Sequence, residues 1–342
     1  MLNQKIINMG FVCAVLVVAI HVPFGCDMPL GQVLFKEIIT EGVAWILVPF
    51  YFIVSGYFIA RHFQSDEYYK AEVGKRIHSL VIPYFLWSFI WLLASAPLHI
   101  VADIIAHRPF GTSVWLLGGG GGLISAFGFD LTCHPLLGPL WYVRCLFIFV
   151  LVCPLFRFLV DKFGCWWLTL TYVVLAAYKS GCFDFLGVDG FLARGISLMG
   201  IAYFSLGIYI CIKRIHFWNK TCALLALAVS IALLGMKTAL HLGGVKLAVD
   251  LQTLFIPFLL YAVFYFMPDR TWPKWLTSCA FPIFLIHWLF LIYFTAISKR
   301  LQINGLIIDV VGLLIGVIGS GAVAIFLRRY CKRTAQILFG GR

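Results

Sequence analysis

The sequence predicts an all-α, polytopic integral membrane protein, and three observations carry that prediction. First, 62% of the 342 residues are hydrophobic and only 12% are charged, with a mean hydropathy of +0.99. A charged share of about half that of a soluble domain leaves too little polar surface to cover a core in water. Second, apolar runs of about 17–25 residues recur along the chain, and that length crosses the hydrocarbon layer as a helix. Third, the lysines and arginines fall in short clusters between those runs. An open sheet would present unpaired backbone groups to lipid, so the runs are read as helices.

Taken in order, ten spans are expected at about 6–24, 42–61, 79–101, 139–159, 164–180, 194–212, 220–240, 247–267, 278–297 and 305–327. The formal net charge of +12 marks topology here, not nucleic-acid binding. With the N-terminus inside, the inner segments hold 17 Lys and Arg, including Lys75, Arg76, Lys213, Arg214, Arg328 and Arg329, and the outer segments hold 8. Basic residues favour the cytoplasmic side, so both termini are expected there, with residues 1–342 forming a single transmembrane domain. Lys5 followed by an apolar stretch resembles a signal peptide. The small-x-small cleavage pattern is missing, however, and Pro23 stands where a lipoprotein site wants a leucine-like residue, so an uncleaved first helix is expected.

The longest connection, about 102–138, falls outside and has the length of a lid or binding loop. Its glycine run, Gly118–Gly122, lacks the Lys-Ser/Thr of a phosphate loop and reads as a flexible spacer. The 11 cysteines include no CxxC pair and lie mostly within apolar runs, where they read as small packing residues; no metal site is expected. Cys26, Cys133 and Cys182 fall in outer loops, and spacing alone does not pair them.

Polar residues inside apolar runs carry the functional signal, because ionisable groups in spans usually face the bundle interior. His21 closes the run Phe11–Ile20, roughly 22 Å along the first span at 1.5 Å per residue. Arg144 lies about one and a half turns into the fourth span, and Trp141, three residues earlier, shares its face. His287 sits near the middle of the ninth. Each also has a plainer reading: an interfacial histidine, a snorkelling arginine, a helix-packing histidine. Ser55 and Gly56, near the inner end of the second span, fit close helix packing as well as a narrow passage. Lys75 and Arg76 lead into the third span and suit either a positive-inside anchor or phosphate binding.

The order of these pieces resembles the membrane acyltransferase family 3, the integral-membrane O-acyltransferases of cell-surface glycans. LVVAIH (Leu16–His21) looks like the end of that family's first helix. VPFYFIVSGYFI (Val48–Ile59) is similar to its second-helix motif. KRIHSLVIPYFLW (Lys75–Trp87) resembles its basic lead-in to the third helix, Leu140–Leu155 its LWFLR segment and Ser278–His287 its SFxIYxxH-like segment. The resemblance covers nearly the whole chain. It departs at three positions: Gly10 and Ser79 stand where many members carry arginine, and Cys145 where an aspartate often follows the LWFLR arginine.

The resemblance implies a ten-helix core and transfer of an acyl group, usually acetyl, from cytoplasmic acyl-CoA to a sugar hydroxyl facing outward, with no permanently bound cofactor. On that reading, Lys75 and Arg76 hold the CoA phosphates and the pantetheine arm passes Ser55 and Gly56. His21 acts as general base, for which an imidazole of ordinary pKa about 6.5 is suited. Arg144 stabilises charge developing on the carbonyl oxygen or orients the acceptor; Trp141 stacks on a sugar ring; His287 lines the pore. The implied partners are acyl-CoA, a glycan or other hydroxyl-bearing acceptor and the lipid bilayer of the inner or plasma membrane. An acyl-histidine intermediate is the rival mechanism. Two other function classes fit the composition: a transporter or flippase of glycan intermediates, and a non-catalytic membrane partner in an envelope assembly.

Overall fold

The computed structural model describes residues 2–22, 28–62, 66–109, 125–132, 135–188, 190–215, 219–245, 250–302 and 305–341. The glycine run Gly118–Gly122 and the loop cysteines Cys26 and Cys133 lie outside the described residues. Among the described residues every regular element is helical and there is no strand. The α-helices are α1 (Leu2–Ala19), α2 (Leu30–Phe35), α3 (Leu47–His62), α4 (Asp66–Arg76), α5 (Ile82–Ile105), α6 (Leu140–Leu151), α7 (Cys153–Phe163), α8 (Cys165–Lys179), α9 (Leu198–Ile212), α10 (Lys220–Leu242), α11 (Leu251–Phe266), α12 (Lys274–Thr277), α13 (Ala280–Arg300), α14 (Leu306–Tyr330) and α15 (Lys332–Leu338).

Among the described residues six helical stretches are long and apolar enough to cross a membrane: Leu30–His62, Glu67–Ile105, Phe191–Ile212, Lys220–Leu242, Ala280–Arg300 and Leu306–Tyr330. The bent pair α6–α7 would make a seventh, and Asn3–Ala19 and Leu251–Phe266 are shorter apolar helices. A helix or bent pair stands at each of the ten expected places, and α8, with 15 residues, is the remaining one.

The 68° bend between α6 and α7 has a local cause. Pro154 has no N–H to return to the carbonyl of Val150 and cannot continue the ladder. The hydroxyl of Tyr69, on α4, donates instead to Val150 O at 3.0 Å and to Leu151 O at 2.6 Å. The bend therefore leaves those carbonyls satisfied and ties α4 to α6.

α3 and α9 approach one another closely, and the approach rests on glycine. A Cβ on Gly56 would strike the carbonyl oxygen of Phe204, and one on Gly207 would strike that of Ile53 and come within 2.9 Å of Tyr57 N. Small residues here let two backbones touch, as is common between helices in lipid. α1 is fastened to the turn after α11: Lys5 Nζ donates to Tyr265 O at 2.6 Å, and the buried Asn8 donates to Pro268 O and Arg270 O, both at 3.0 Å. The C-terminal α15 folds back on α5, where Trp87 Nε1 donates to Leu338 O at 2.9 Å and the buried Phe339 stacks on the Trp87 ring.

Candidate functional site

His21 stands just beyond the end of α1, where the helix tightens. Its backbone N–H bonds to Val18 O at 3.1 Å, three residues back instead of four. Its ring meets the ring of His287, which rises from the middle of α13 and is fully buried. His287 Nε2 lies 3.2 Å from His21 Nδ1. His287 Nδ1 lies 2.9 Å from Ile283 O, and His21 Nδ1 lies 2.8 Å from Val17 O. Trp288 packs its edge on His21 with ring centroids 4.5 Å apart.

These distances assign the protons. A carbonyl only accepts, so the nitrogen facing Ile283 O carries hydrogen and His287 Nε2 is an acceptor. His21 Nδ1 faces two acceptors, Val17 O and His287 Nε2, and is therefore the N–H of its ring, shared between them. The basic lone pair of His21 is on Nε2.

His21 forms part of the wall of a cavity of about 320 Å³, together with Tyr51, Trp141, Tyr142, Lys179 and Arg194. Trp141 thus lines the same cavity as His21. His287 is not part of that wall. The sequence suggests a pore-lining group, but the structure places this residue behind His21, within hydrogen-bonding reach of its ring.

Arg144 is placed differently from the expectation as well. It is buried and absent from the cavity wall. Its guanidinium donates to carbonyls of two separate segments: Nη1 to Asp130 O at 3.0 Å and Gly128 O at 3.3 Å, Nη2 to Arg194 O at 3.3 Å. The part of the long connection around Gly128 is therefore held against the bundle. Gly128 has φ 92°, and a Cβ there would strike the hydroxyl of Tyr84, which itself donates to Phe127 O at 3.3 Å. Only glycine fits at that point. Cys145, next to Arg144, donates its thiol to Arg194 O at 2.9 Å and Gly195 O at 3.1 Å, tightening the same junction.

Lys75 and Arg76 share a separate open cleft of about 680 Å³ with Glu72, His78, Ser79 and Gly340. Arg76 is paired within α4: Nε and Nη2 lie 2.8 and 2.7 Å from Glu72 Oε1. Lys75 is mostly exposed, with Nζ 3.9 Å from Glu72 Oε2. Ser79, at the position of a missing family arginine, lies under Gly340 of the C-terminal segment. Gly56 belongs to the α3–α9 contact, not to a passage. Ser55 faces the cavity region, its Oγ 3.5 Å from the hydroxyl of the wall residue Tyr142.

Several site residues carry no signal in the sequence. Tyr51 and Tyr142 are two among 14 tyrosines. Lys179 and Arg194 look like ordinary loop-end cations until the fold sets them on one wall.

A model of the acyltransferase domain of acyltransferase family 3 matches residues 5–329, nearly the whole chain. No curated protein and no solved structure matches the chain.

The position of Arg144 generates a prediction. Hydrogen bonds from a charged donor contribute about 1.5–3 kcal/mol each. Arg144→Gln should therefore raise amide hydrogen exchange across residues 127–132 on the order of tenfold, measured by mass spectrometry on protein in detergent. Unchanged exchange there would show that the guanidinium does not hold the segment.

Proposed function

The chain belongs to acyltransferase family 3, and on that premise we propose that it transfers an acetyl or other short acyl group from acyl-CoA to a hydroxyl of a cell-envelope glycan. The observation that carries this reading is the His21 ring on the wall of a cavity large enough for a sugar, backed by His287.

In this mechanism the acceptor hydroxyl lies against His21 Nε2. As the hydroxyl oxygen attacks the thioester carbonyl, its proton passes to Nε2. The new C–O bond forms, the C–S bond breaks, and the CoA thiolate leaves and takes up the proton. The imidazolium formed in between is stabilised through Nδ1–H, which already points at Val17 O and the His287 lone pair. Trp141 offers an aromatic face to the sugar ring. Arg144 contributes by tying the backbone of Arg194, a residue of the cavity wall, to Gly128 and Asp130, in place of the oxyanion contact or acceptor orientation that the resemblance implies.

The phosphates of the donor bind at Lys75 and Arg76. Glu72 occupies Arg76 in the structure, so the arriving phosphate competes with a carboxylate for the same guanidinium. This arrangement requires ten crossings of the inner or plasma membrane with both termini in the cytoplasm, the donor cleft inside and the His21 cavity outside. The excess of basic residues on the segments so placed supports that orientation.

Two outcomes follow. With purified protein, acetyl-CoA and an envelope glycan extract, His21→Ala should lower kcat by about 10²–10⁴, while Arg76→Ala should raise the KM for acetyl-CoA more than it lowers kcat. Normal turnover in His21→Ala would rule out the base assignment, and an unchanged KM in Arg76→Ala the phosphate site. For topology, a membrane-impermeant maleimide should label the exposed Cys182 in intact cells and the exposed Cys331 only after permeabilisation. The reverse pattern would invert the orientation.

A further inference from the structure

The His21 cavity adjoins a recess of about 10 Å³, with which it shares Trp45, Leu175, Lys179 and Met199. Tyr203, Gln252, Asp250 and Thr253 complete its polar lining. Three side-chain atoms around it are buried without a hydrogen-bond partner: Trp45 Nε1, the Tyr203 hydroxyl and Gln252 Nε2. Tyr203 as a whole is only 3% exposed. An unmade hydrogen bond in a protein interior costs about 1–3 kcal/mol, so three such groups at one small void mark a place built to be filled.

The chemistry of the three groups is one-sided. An indole N–H and an amide NH₂ only donate, and a phenol donates readily. Lys179 adds a cation at the same wall, with Nζ 5.6 Å from the centre of the Trp45 ring. The carboxylate in the lining, Asp250, pairs with none of these three atoms. Asp250 is committed to the start of α11, where its Oδ2 accepts from the Thr253 hydroxyl at 2.5 Å and Thr253 N at 3.0 Å, and its Oδ1 from Gln252 N at 3.3 Å. The nearby carbonyl of Thr253 accepts from Tyr172 at 2.5 Å. Donors outnumber acceptors, and a void of this size takes one oxygen atom.

We infer that this recess is an anion subsite, and that the acceptor is an acidic glycan carrying a carboxylate or phosphate whose oxygen enters between Trp45, Tyr203 and Gln252 beside Lys179. The inference rests on the cavity being the acceptor site. It adds the substrate class: the anionic group anchors at the recess and the sugar extends along the cavity toward His21. Specificity then comes from leaving three donors unpaired when a neutral sugar binds, a stronger discriminator than shape alone.

The test uses the full chain in lipid nanodiscs and three soluble probes: methyl glucoside, glucuronate and glucose 6-phosphate. Binding is read by intrinsic tryptophan fluorescence. At least one anionic probe is expected to bind ten-fold or more tightly than methyl glucoside, and the tighter of the two distinguishes carboxylate from phosphate. Tyr203→Phe and Lys179→Gln should each remove most of that preference, and Tyr203→Phe should leave the affinity for methyl glucoside unchanged. Equal affinity for all three probes, no binding of any, or an anion preference untouched by both substitutions would overturn the inference; the last result is the one expected if the recess holds only an ordered water. The catalytic reading is measured separately by acetyl-CoA thioester cleavage. Loss of cleavage with the anion preference intact would defeat the acyl-transfer proposal and leave the subsite standing.

Discussion

The contact between two imidazoles, 3.2 Å from His287 Nε2 to His21 Nδ1, joins the end of α1 to the middle of α13. Neither ring sits there without support. Each is held by a carbonyl of its own helix, four residues earlier, and Trp288 closes on the side of His21. Because His287 is fully buried and its Nδ1 hydrogen is engaged, it can offer His21 only a lone pair. That single constraint turns the Nε2 edge of His21 into the basic one and gives a reason for a histidine at the far end of a long apolar run. The proposed mechanism and acceptor placement build on that orientation.

The same rule, that a polar group inside an apolar bundle must find a partner, explains much of the remaining architecture. Lys5 and Asn8 hold the start of α1 at the turn following α11. Glu37, nearly buried, meets Lys237 at 3.6 Å and His241 at 2.9 Å on α10. Gln32 donates to Asp309 at the start of α14. Tyr69 satisfies the carbonyls freed by Pro154. Each of these bonds ties together segments far apart in sequence. Where lipid removes most of the hydrophobic drive between helices, such pairs fix which helices are neighbours. Against that background, the unmatched donors of Trp45, Tyr203 and Gln252 stand out.

The helical membrane fold was legible because lipid selects long apolar runs so strongly that composition and run length suffice. The same reasoning singled out His21 and Trp141, which line one cavity, although the position of His21 in its run fitted an interfacial histidine equally well. What each residue does there was less legible. His287 and Arg144 were both read as cavity groups, and both lie outside the cavity lining, in contact with a ring and with backbone carbonyls. Sequence periodicity reports the face of a helix but not what lies across from it, and the partners of Arg144 come from loop positions 128, 130 and 194. The recess was invisible for a related reason. Trp45, Lys179, Tyr203 and Gln252 come from four segments, and each one alone looks like a normal interfacial residue.

The central claim concerns the position of one proton, and it can be observed directly. Full-length protein carrying ¹⁵N-labelled histidine rings, in nanodiscs at a pH where imidazoles are neutral, gives ring-nitrogen resonances that distinguish the two tautomers. The His21 signals are assigned by their disappearance in His21→Gln. The structure predicts His21 as the Nδ1–H tautomer, shifting toward a mixture when His287 is replaced by phenylalanine. A His21 ring protonated at Nε2 in the unaltered protein would contradict the account.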